Sequence, residues 1–229
     1  DLEASDRVKL LEFSRRKDAD IYLQRGGLDT VCALNEDART LRYALPEEAI
    51  SFDFKPTDFV QVNAEINQKA VALAMELLEL EADHRVLDLF CGLGNFSLPL
   101  AKRCAQVEGV EGDAQLVERA RLNAGKNGIS NAVFSVQPLY EHHEQPLWPG
   151  QHFDRILLDP PRSGALELMP QIAKLGAERI VYVACSPLTL ARDAALLCNE
   201  YGYALESCGV MDMFPHTAHV ESIACLVKR

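Results

Sequence analysis

From residue 64 onward the chain alternates short apolar runs with longer segments of helical period, and this alternation limits the possible folds most tightly. Residues 64–80 (AEINQKAVALAMELLEL) place Ile66, Ala70, Leu73, Leu77 and Leu80 on one helical face. Strands are expected at Val86–Phe90, Val107–Val110, Ala132–Val136, Arg155–Leu158, Ile180–Ala184, Ala204–Val210 and Ser222–Val227. Helices are expected near 95–104, 114–127, 166–175 and 187–200. Apolar strands separated by helices imply a parallel sheet covered on both faces. The expected class is α/β, Rossmann-like, with a seven-stranded and mostly parallel sheet. Ligands in such sheets sit beyond the carboxyl ends of the strands, where the strand order reverses. Those ends are therefore where chemistry is to be sought.

Residues 1–60 read differently. Val8–Phe13, Ala19–Gln24 and Ala49–Phe54 alternate roughly with period two, punctuated by Gly26-Gly27, Asn35-Glu36-Asp37 and Pro46. The expected division is a β-rich flanking element over 1–60 and a catalytic domain over 61–229. With 229 residues, 48% of them hydrophobic, the chain can bury a substantial core. No apolar run approaches the ~18 residues of a membrane span, and no basic-then-apolar leader opens the chain. Seven cysteines without CxxC spacing argue against a disulfide framework or a closed metal cluster, and suit a reducing cytoplasm. A monomer is expected. The first residue is Asp1, so a trimmed piece of a longer protein is the expected origin. The net charge of −11 counts against nucleic acid as a partner, because phosphate binding favours Lys and Arg. A basic part elsewhere, or a small positive channel on an acidic body, would reconcile the two.

The stretch Val86-Leu87-Asp88-Leu89-Phe90-Cys91-Gly92-Leu93-Gly94-Asn95-Phe96 reads as strand, glycine turn and helix start. Glycines there permit positive φ and close approach of a ligand to the backbone. Glu111 ends the next strand and can accept ribose hydroxyls, in nicotinamide enzymes and methyltransferases alike. Two features favour a methyl donor. The third glycine of the pyrophosphate fingerprint is absent, since Asn95-Phe96-Ser97 follows the turn. Asp88 precedes the turn, where its charge opposes a pyrophosphate but suits the cationic methionine end of S-adenosylmethionine.

The chemical half is expected on three other strand ends. Leu157-Leu158 leads into Asp159-Pro160-Pro161-Arg162, a loop stiffened by two prolines. Amino-group methyltransferases usually place an aromatic residue after such a pair, and Arg162 speaks against that chemistry. The fifth strand ends in Cys185, followed by Ser186 as expected N-cap and Pro187 as first helical residue. The helix amino end is expected to favour a thiolate there. For Cys104, Cys198, Cys208 and Cys225 an inert role is the better reading, and Cys32 offers no clue. A thiol beside a methyl donor suits uracil C5, which is too weakly nucleophilic to react unaided. Thiolate addition to C6 would give an enolate with electron density at C5, and a base must later remove the C5 proton. Glu221 is the candidate base. His216, His219 and Glu221 can also be read as metal ligands, but the spacing lacks a partner motif, and no metal is expected.

These residues together resemble a known family. Phe59-Val60-Gln61-Val62-Asn63, the DLFCGLGNFSLPLA stretch, Asp159-Pro160-Pro161-Arg162, the Cys185 strand end and His219-Val220-Glu221 occur in order. They resemble the bacterial RNA uracil-5-methyltransferases over nearly all of residues 55–229. FVQVNAEINQK, VYVACSPLTLARD and DMFPHTAHVES look closest to the branch acting on 23S ribosomal RNA. The resemblance implies that Gln61, Phe90, Asn95, Glu111 and Asp159 contact S-adenosylmethionine, that Cys185 is the nucleophile and that Glu221 is the base. It implies ribosomal RNA as partner, with a transfer RNA target as the alternative. Relatives often offer a polar side chain to the adenosine after the third strand, where this chain has Gln137-Pro138. The oligonucleotide-binding domain and four-cysteine iron–sulfur site of ribosomal-RNA relatives are not among these residues, so any such cluster is expected only in a missing amino-terminal part. Two rivals belong to other classes: a methyltransferase-fold RNA-binding module without activity, and a nicotinamide oxidoreductase.

Overall fold

A computed structural model describes residues 2–35, 37–140 and 145–229. Glu36, within the expected turn at Asn35-Glu36-Asp37, lies outside the described residues. The chain divides into two compact units, Asp1–Tyr43 with Asp53–Phe59, and Ala44–Phe52 with Val60–Arg229.

The first unit opens with α1 (Ala4–Lys17), which corrects the strand expected at Val8–Phe13. The alternation there conceals a helical period. Arg7, Leu10, Leu11 and Ser14 turn inward at spacings of three and four, while Val8 and Phe13 are exposed. Asp6 in the first turn and Arg15, Arg16 and Lys17 in the last complement the helix dipole, and Asp18 closes the helix in a left-handed conformation at φ 49°. The strand expected over Ala19–Gln24 shrinks to β1 (Tyr22–Leu23), paired antiparallel with β2 (Cys32–Ala33). Arg39 bridges Asp18 and Asp20 at 3.3 and 2.9 Å. This unit is thus mixed α and β rather than β-rich. β3 (Leu41–Leu45) and β4 (Ile50–Phe54) form a two-stranded sheet whose residues are divided between the units.

The second unit carries the expected alternation. α2 (Ala64–Leu78) is capped by Asn63, whose side chain accepts the Ile66 N–H at 3.2 Å. Its buried stripe runs through Asn67, Ala70, Val71, Ala74, Met75 and Leu78, rotated by about one residue from the expected face. Thereafter come β5 (Arg85–Leu89), α3 (Ser97–Ala101), β6 (Gln106–Glu111), α4 (Ala114–Lys126) and β7 (Ala132–Val136). The chain continues through β8 (Arg155–Leu158), α5 (Met169–Leu175), β9 (Arg179–Ala184), α6 (Pro187–Glu200), β10 (Tyr203–Met211) and β11 (Glu221–Lys228).

The seven strands stand in the order β10-β11-β9-β8-β5-β6-β7. β9, β8, β5, β6 and β7 pair in parallel, and β11 runs antiparallel to both neighbours. The order reverses at β5, whose neighbours are β6 on one side and β8 on the other. Leu87, Leu89, Ile156, Leu158, Ile180 and Tyr182 have no exposed surface, which makes β5, β8 and β9 the rigid centre. Each such aliphatic side chain stabilises the fold by roughly 1.5–3 kcal/mol on burial. Because β11 is reversed, its first residue, Glu221, reaches the same sheet edge as the last residues of β5, β6, β8 and β9. That reversal brings an acid from the far end of the chain to the crevice.

Candidate active site

At the β5 tip the backbone folds back tightly. Phe90 adopts φ 63°, a left-handed conformation that a bulky side chain seldom takes without a local demand. The demand is visible: the N–H groups of Phe90 and Cys91 both donate to the Val110 carbonyl, at 2.9 and 3.1 Å. The Phe90 ring packs against Tyr140, with centroids 5.4 Å apart. Gly92 and Gly94 follow with φ 55° and 95°, and nothing lies within 4 Å of where a Cβ on Gly92 would stand. A ligand can approach that backbone closely.

Glu111, at the β6 tip, accepts N–H groups from Gly92, Gly112 and Asp113 at 3.1, 2.7 and 3.1 Å. A carboxylate offers about four acceptor sites, so roughly one remains for a ligand. Asp88 is fully buried; Ser97 donates to its Oδ2, while Oδ1 has no protein partner. Burial, and secondarily the charge of Glu111, pushes the Asp88 carboxyl up to about 7, against the pull of Ser97. Asn95 and the buried Asn67 exchange two amide hydrogen bonds, of 3.0 and 2.9 Å, which tie α2 to the glycine turn.

On the other side of the crevice, Asp159 follows β8 and receives Gln61 Nε2 at a long 3.5 Å. Burial, then Glu221 and Asp88, pushes the Asp159 carboxyl up to about 8. Leu158 pairs with Tyr182 and Ser222 with Ala184, so Asp159, just past β8, and Glu221, at the start of β11, lie on either side of the residue that follows β9. That residue is Cys185, partly exposed at the strand tip. The Ser222 hydroxyl locks the register by donating to the Ala184 carbonyl at 3.1 Å. Glu221 is 5% exposed, and burial raises its pKa.

The Cys185 thiol also lies above its ordinary range: burial raises it first, then Glu221 and Asp159, with Arg162 acting the other way. The expectation that the helix amino end favours a thiolate is therefore corrected. Ser186 occupies the N-cap of α6 and Pro187 its first turn, but the serine side chain caps nothing. Burial and two nearby acids act against ionisation of the thiol. Positive charge brought among Asp88, Asp159 and Glu221 would lower all three carboxyls and the thiol together.

Gln61, Phe90, Asn95, Glu111, Asp159, Cys185 and Glu221, all expected from sequence, line the carboxyl edge of one sheet or the turns beside it. Asn67, Ser97 and Tyr140 were not expected. Asn67 could have been found as the one polar residue on an apolar stripe, and Ser97 as a serine inside the apolar run SLPLA. Among the described residues, His216, His219 and Glu221 do not bring their ligand atoms together. His219 instead packs edge-on against Phe214, with centroids 5.9 Å apart.

Two family models match the chain: tRNA (Uracil-5-)-methyltransferase over residues 6–138, and Methyltransferase domain over residues 80–222. Among curated relatives, the 23S rRNA (uracil(1939)-C(5))-methyltransferase RlmD of Xanthomonas campestris pv. campestris is 53% identical over 228 residues. The alignment takes in 100% of this chain and 51% of that protein. RlmD of Legionella pneumophila (strain Paris) is 52% identical, over 99% of this chain and 52% of its own. The chain thus spans about half the length of the curated relatives it matches. Among solved structures, Pyrococcus abyssi tRNA (uracil-54, C5)-methyltransferase in complex with S-adenosyl-L-homocysteine aligns with TM-score 0.75 and 29% identity. That match covers 91% of this chain and 50% of the other. M. jannaschii TYW2, in complex with AdoMet, shares the fold with TM-score 0.62 at 15% identity, over 87% and 91% of the two chains.

Proposed function

Since this chain belongs to the tRNA (uracil-5-)-methyltransferase family, we propose that it transfers a methyl group from S-adenosylmethionine to carbon 5 of a uracil in 23S ribosomal RNA. The observation that carries the reading is one thiol, Cys185, set at a strand tip between two carboxylates, Asp159 and Glu221. Ribosomal RNA is preferred to transfer RNA because the RlmD relatives share 53% and 52% identity, against 29% for the archaeal tRNA enzyme. We read residues 61–229 as the catalytic domain and 1–60 as a flanking element. No helix among the described residues is long and apolar enough to cross a membrane, and the proposed setting is a monomer in the cytoplasm.

The crevice suits the methyl donor on its own features: an unpartnered carboxylate oxygen on buried Asp88, spare acceptor capacity on Glu111, and open space over Gly92. Gln61, Phe90, Asn95, Glu111 and Asp159 would hold it. When bound, it supplies a sulfonium-activated methyl group as a one-carbon electrophile. Cys185, deprotonated, adds to uracil C6 and moves the ring electrons toward C5, which is how an inert carbon gains a nucleophilic pair. Once C5 carries the methyl group, Glu221 takes the remaining C5 proton, the C5–C6 double bond re-forms and the Cys185 sulfur leaves. The raised pKa of Glu221 moves it toward working pH, where general-base catalysis is efficient. To reach the sulfur the uracil must leave its stack, at a cost of a few kcal/mol.

The test is incorporation of labelled methyl from S-adenosylmethionine into 23S ribosomal RNA and transfer RNA offered side by side. Label at uracil C5 of the ribosomal RNA is the expected result. Label in transfer RNA alone would move the substrate, and none in either, by this chain or by the longer protein containing it, would remove the activity.

A further inference from the structure

We propose that Asp193, backed by Arg192 and Tyr182, is a positioning residue that pins the loop after β8 onto α6, keeping Arg162 and Asp159 beside the Cys185 sulfur. This rests on the reading of Cys185 as the nucleophile. Asp193 has no exposed surface. Its Oδ2 accepts the Tyr182 hydroxyl and the Ala165 N–H, each at 2.7 Å. Its Oδ1 accepts Arg192 Nε at 2.7 Å, and Arg192 Nη2 also donates to the Ser163 carbonyl at 2.9 Å. One turn earlier on α6, Thr189 Oγ1 reaches the Arg162 carbonyl at 3.4 Å.

A buried carboxylate is costly unless its oxygens are satisfied, and these donors satisfy it. Packing alone would not require that arrangement, because an apolar side chain could fill the same space. What the carboxylate adds is grip on backbone. It joins the strand that leads into Cys185 (through Tyr182), the helix that begins two residues after Cys185, and the loop that carries Arg162. Gly164, at φ +77°, is pressed so closely that a Cβ there would lie 2.6 Å from Asp193 Oδ2 and 2.7 Å from Arg192 Nη2. The loop therefore has little freedom while the clamp is intact. Arg162 opposes the carboxylates in its influence on the thiol, so its placement bears on how readily the sulfur ionises.

The test is the pH profile of alkylation of Cys185 by iodoacetamide, followed by mass spectrometry of its peptide, with exposed Cys208 on β10 as internal reference. Wild type is compared with Tyr182→Phe, Arg192→Ala, Arg192→Lys and Asp193→Asn. Tyr182→Phe and Arg192→Ala keep the carboxylate and so report even if Asp193→Asn folds poorly. Both should shift the Cys185 profile to higher pH and slow its alkylation at pH 8 at least threefold, with Cys208 unaltered and Arg192→Lys recovering part of the rate. An unchanged or downward-shifted profile, or equal changes at both cysteines, overturns the proposal. Should the wild type fail to trap RNA covalently through Cys185, the nucleophile reading falls while the alkylation profiles still decide the clamp.

Discussion

On the β5–β6 side of the crevice the Glu111 carboxylate accepts three backbone N–H groups, and Asn95 is fixed by two amide hydrogen bonds to Asn67. Across the crevice, Asp159, Cys185 and Glu221 have few hydrogen bonds, and burial raises the pKa of all three. The first wall is defined by satisfied hydrogen bonds and glycine backbone, which suits holding a ligand in one pose. The second is defined by acids and a thiol kept from ready ionisation, which suits moving protons and forming a bond. Binding and chemistry are thus built by different means on one sheet edge. Substitutions should separate them.

Removing the sulfur strikes the reactive wall hardest. Cys185→Ala should reduce methyl transfer to background while the dissociation constant for S-adenosylhomocysteine, measured by calorimetry, stays within about twofold, because no element of the glycine-turn wall changes. Parallel loss of binding would show that the walls are not separable. Glu221→Gln should slow turnover by about 10²–10⁴-fold, and the methylated, enzyme-linked RNA should accumulate on denaturing gels. Normal turnover would take Glu221 out of its role. On the other wall, Glu111→Gln should weaken S-adenosylhomocysteine binding by about 10-fold or somewhat more, the loss expected for charge-assisted hydrogen bonds, with kcat at saturating donor nearly unchanged. A fall in kcat with intact affinity would reverse the assignment of the two walls.

The smallest effect concerns stability. Asp88 and Asp159 have their carboxyls pushed up to about 7 and about 8 in the folded chain. In the unfolded chain they ionise near their ordinary value, about 3.9. Between those limits the unfolded state holds fewer protons than the folded one, so stability falls as pH rises. The melting temperature of the ligand-free chain should fall between pH 5 and pH 8. S-adenosylmethionine should flatten that slope by bringing positive charge among the carboxylates. A melting temperature that rises over the same range would contradict the proton inventory.

Much of this was legible in the sequence, and the failures have physical reasons. α6 follows the expected 187–200 because Ser186 and Pro187 mark a helix start, and the central strands match because they are continuous apolar runs. Cys185, Asp159 and Glu221 were readable because each follows or begins a strand, and a parallel sheet gathers such residues at one edge. Val8–Phe13 misled because a helix with one narrow inward stripe can mimic alternation over six residues. The ionisation of Cys185 was misjudged because the local signal, a helix amino end, is carried by neighbouring residues. The opposing charges come from Asp159 and Glu221, distant in sequence. Asn67 and Asp193 escaped notice for the same reason: their partners are Asn95 on the glycine turn and Ala165 beyond the proline loop.

The most direct measurement uses 5-fluorouridine-substituted 23S ribosomal RNA with S-adenosylmethionine, because fluorine at C5 cannot be removed as a proton and the adduct must persist. A retarded band on a denaturing gel, with the RNA attached to the peptide containing Cys185 and lost in Cys185→Ala, is the expected result. Methyl transfer to ordinary RNA without any such band, or attachment through a different residue, would contradict a mechanism in which this sulfur activates the pyrimidine.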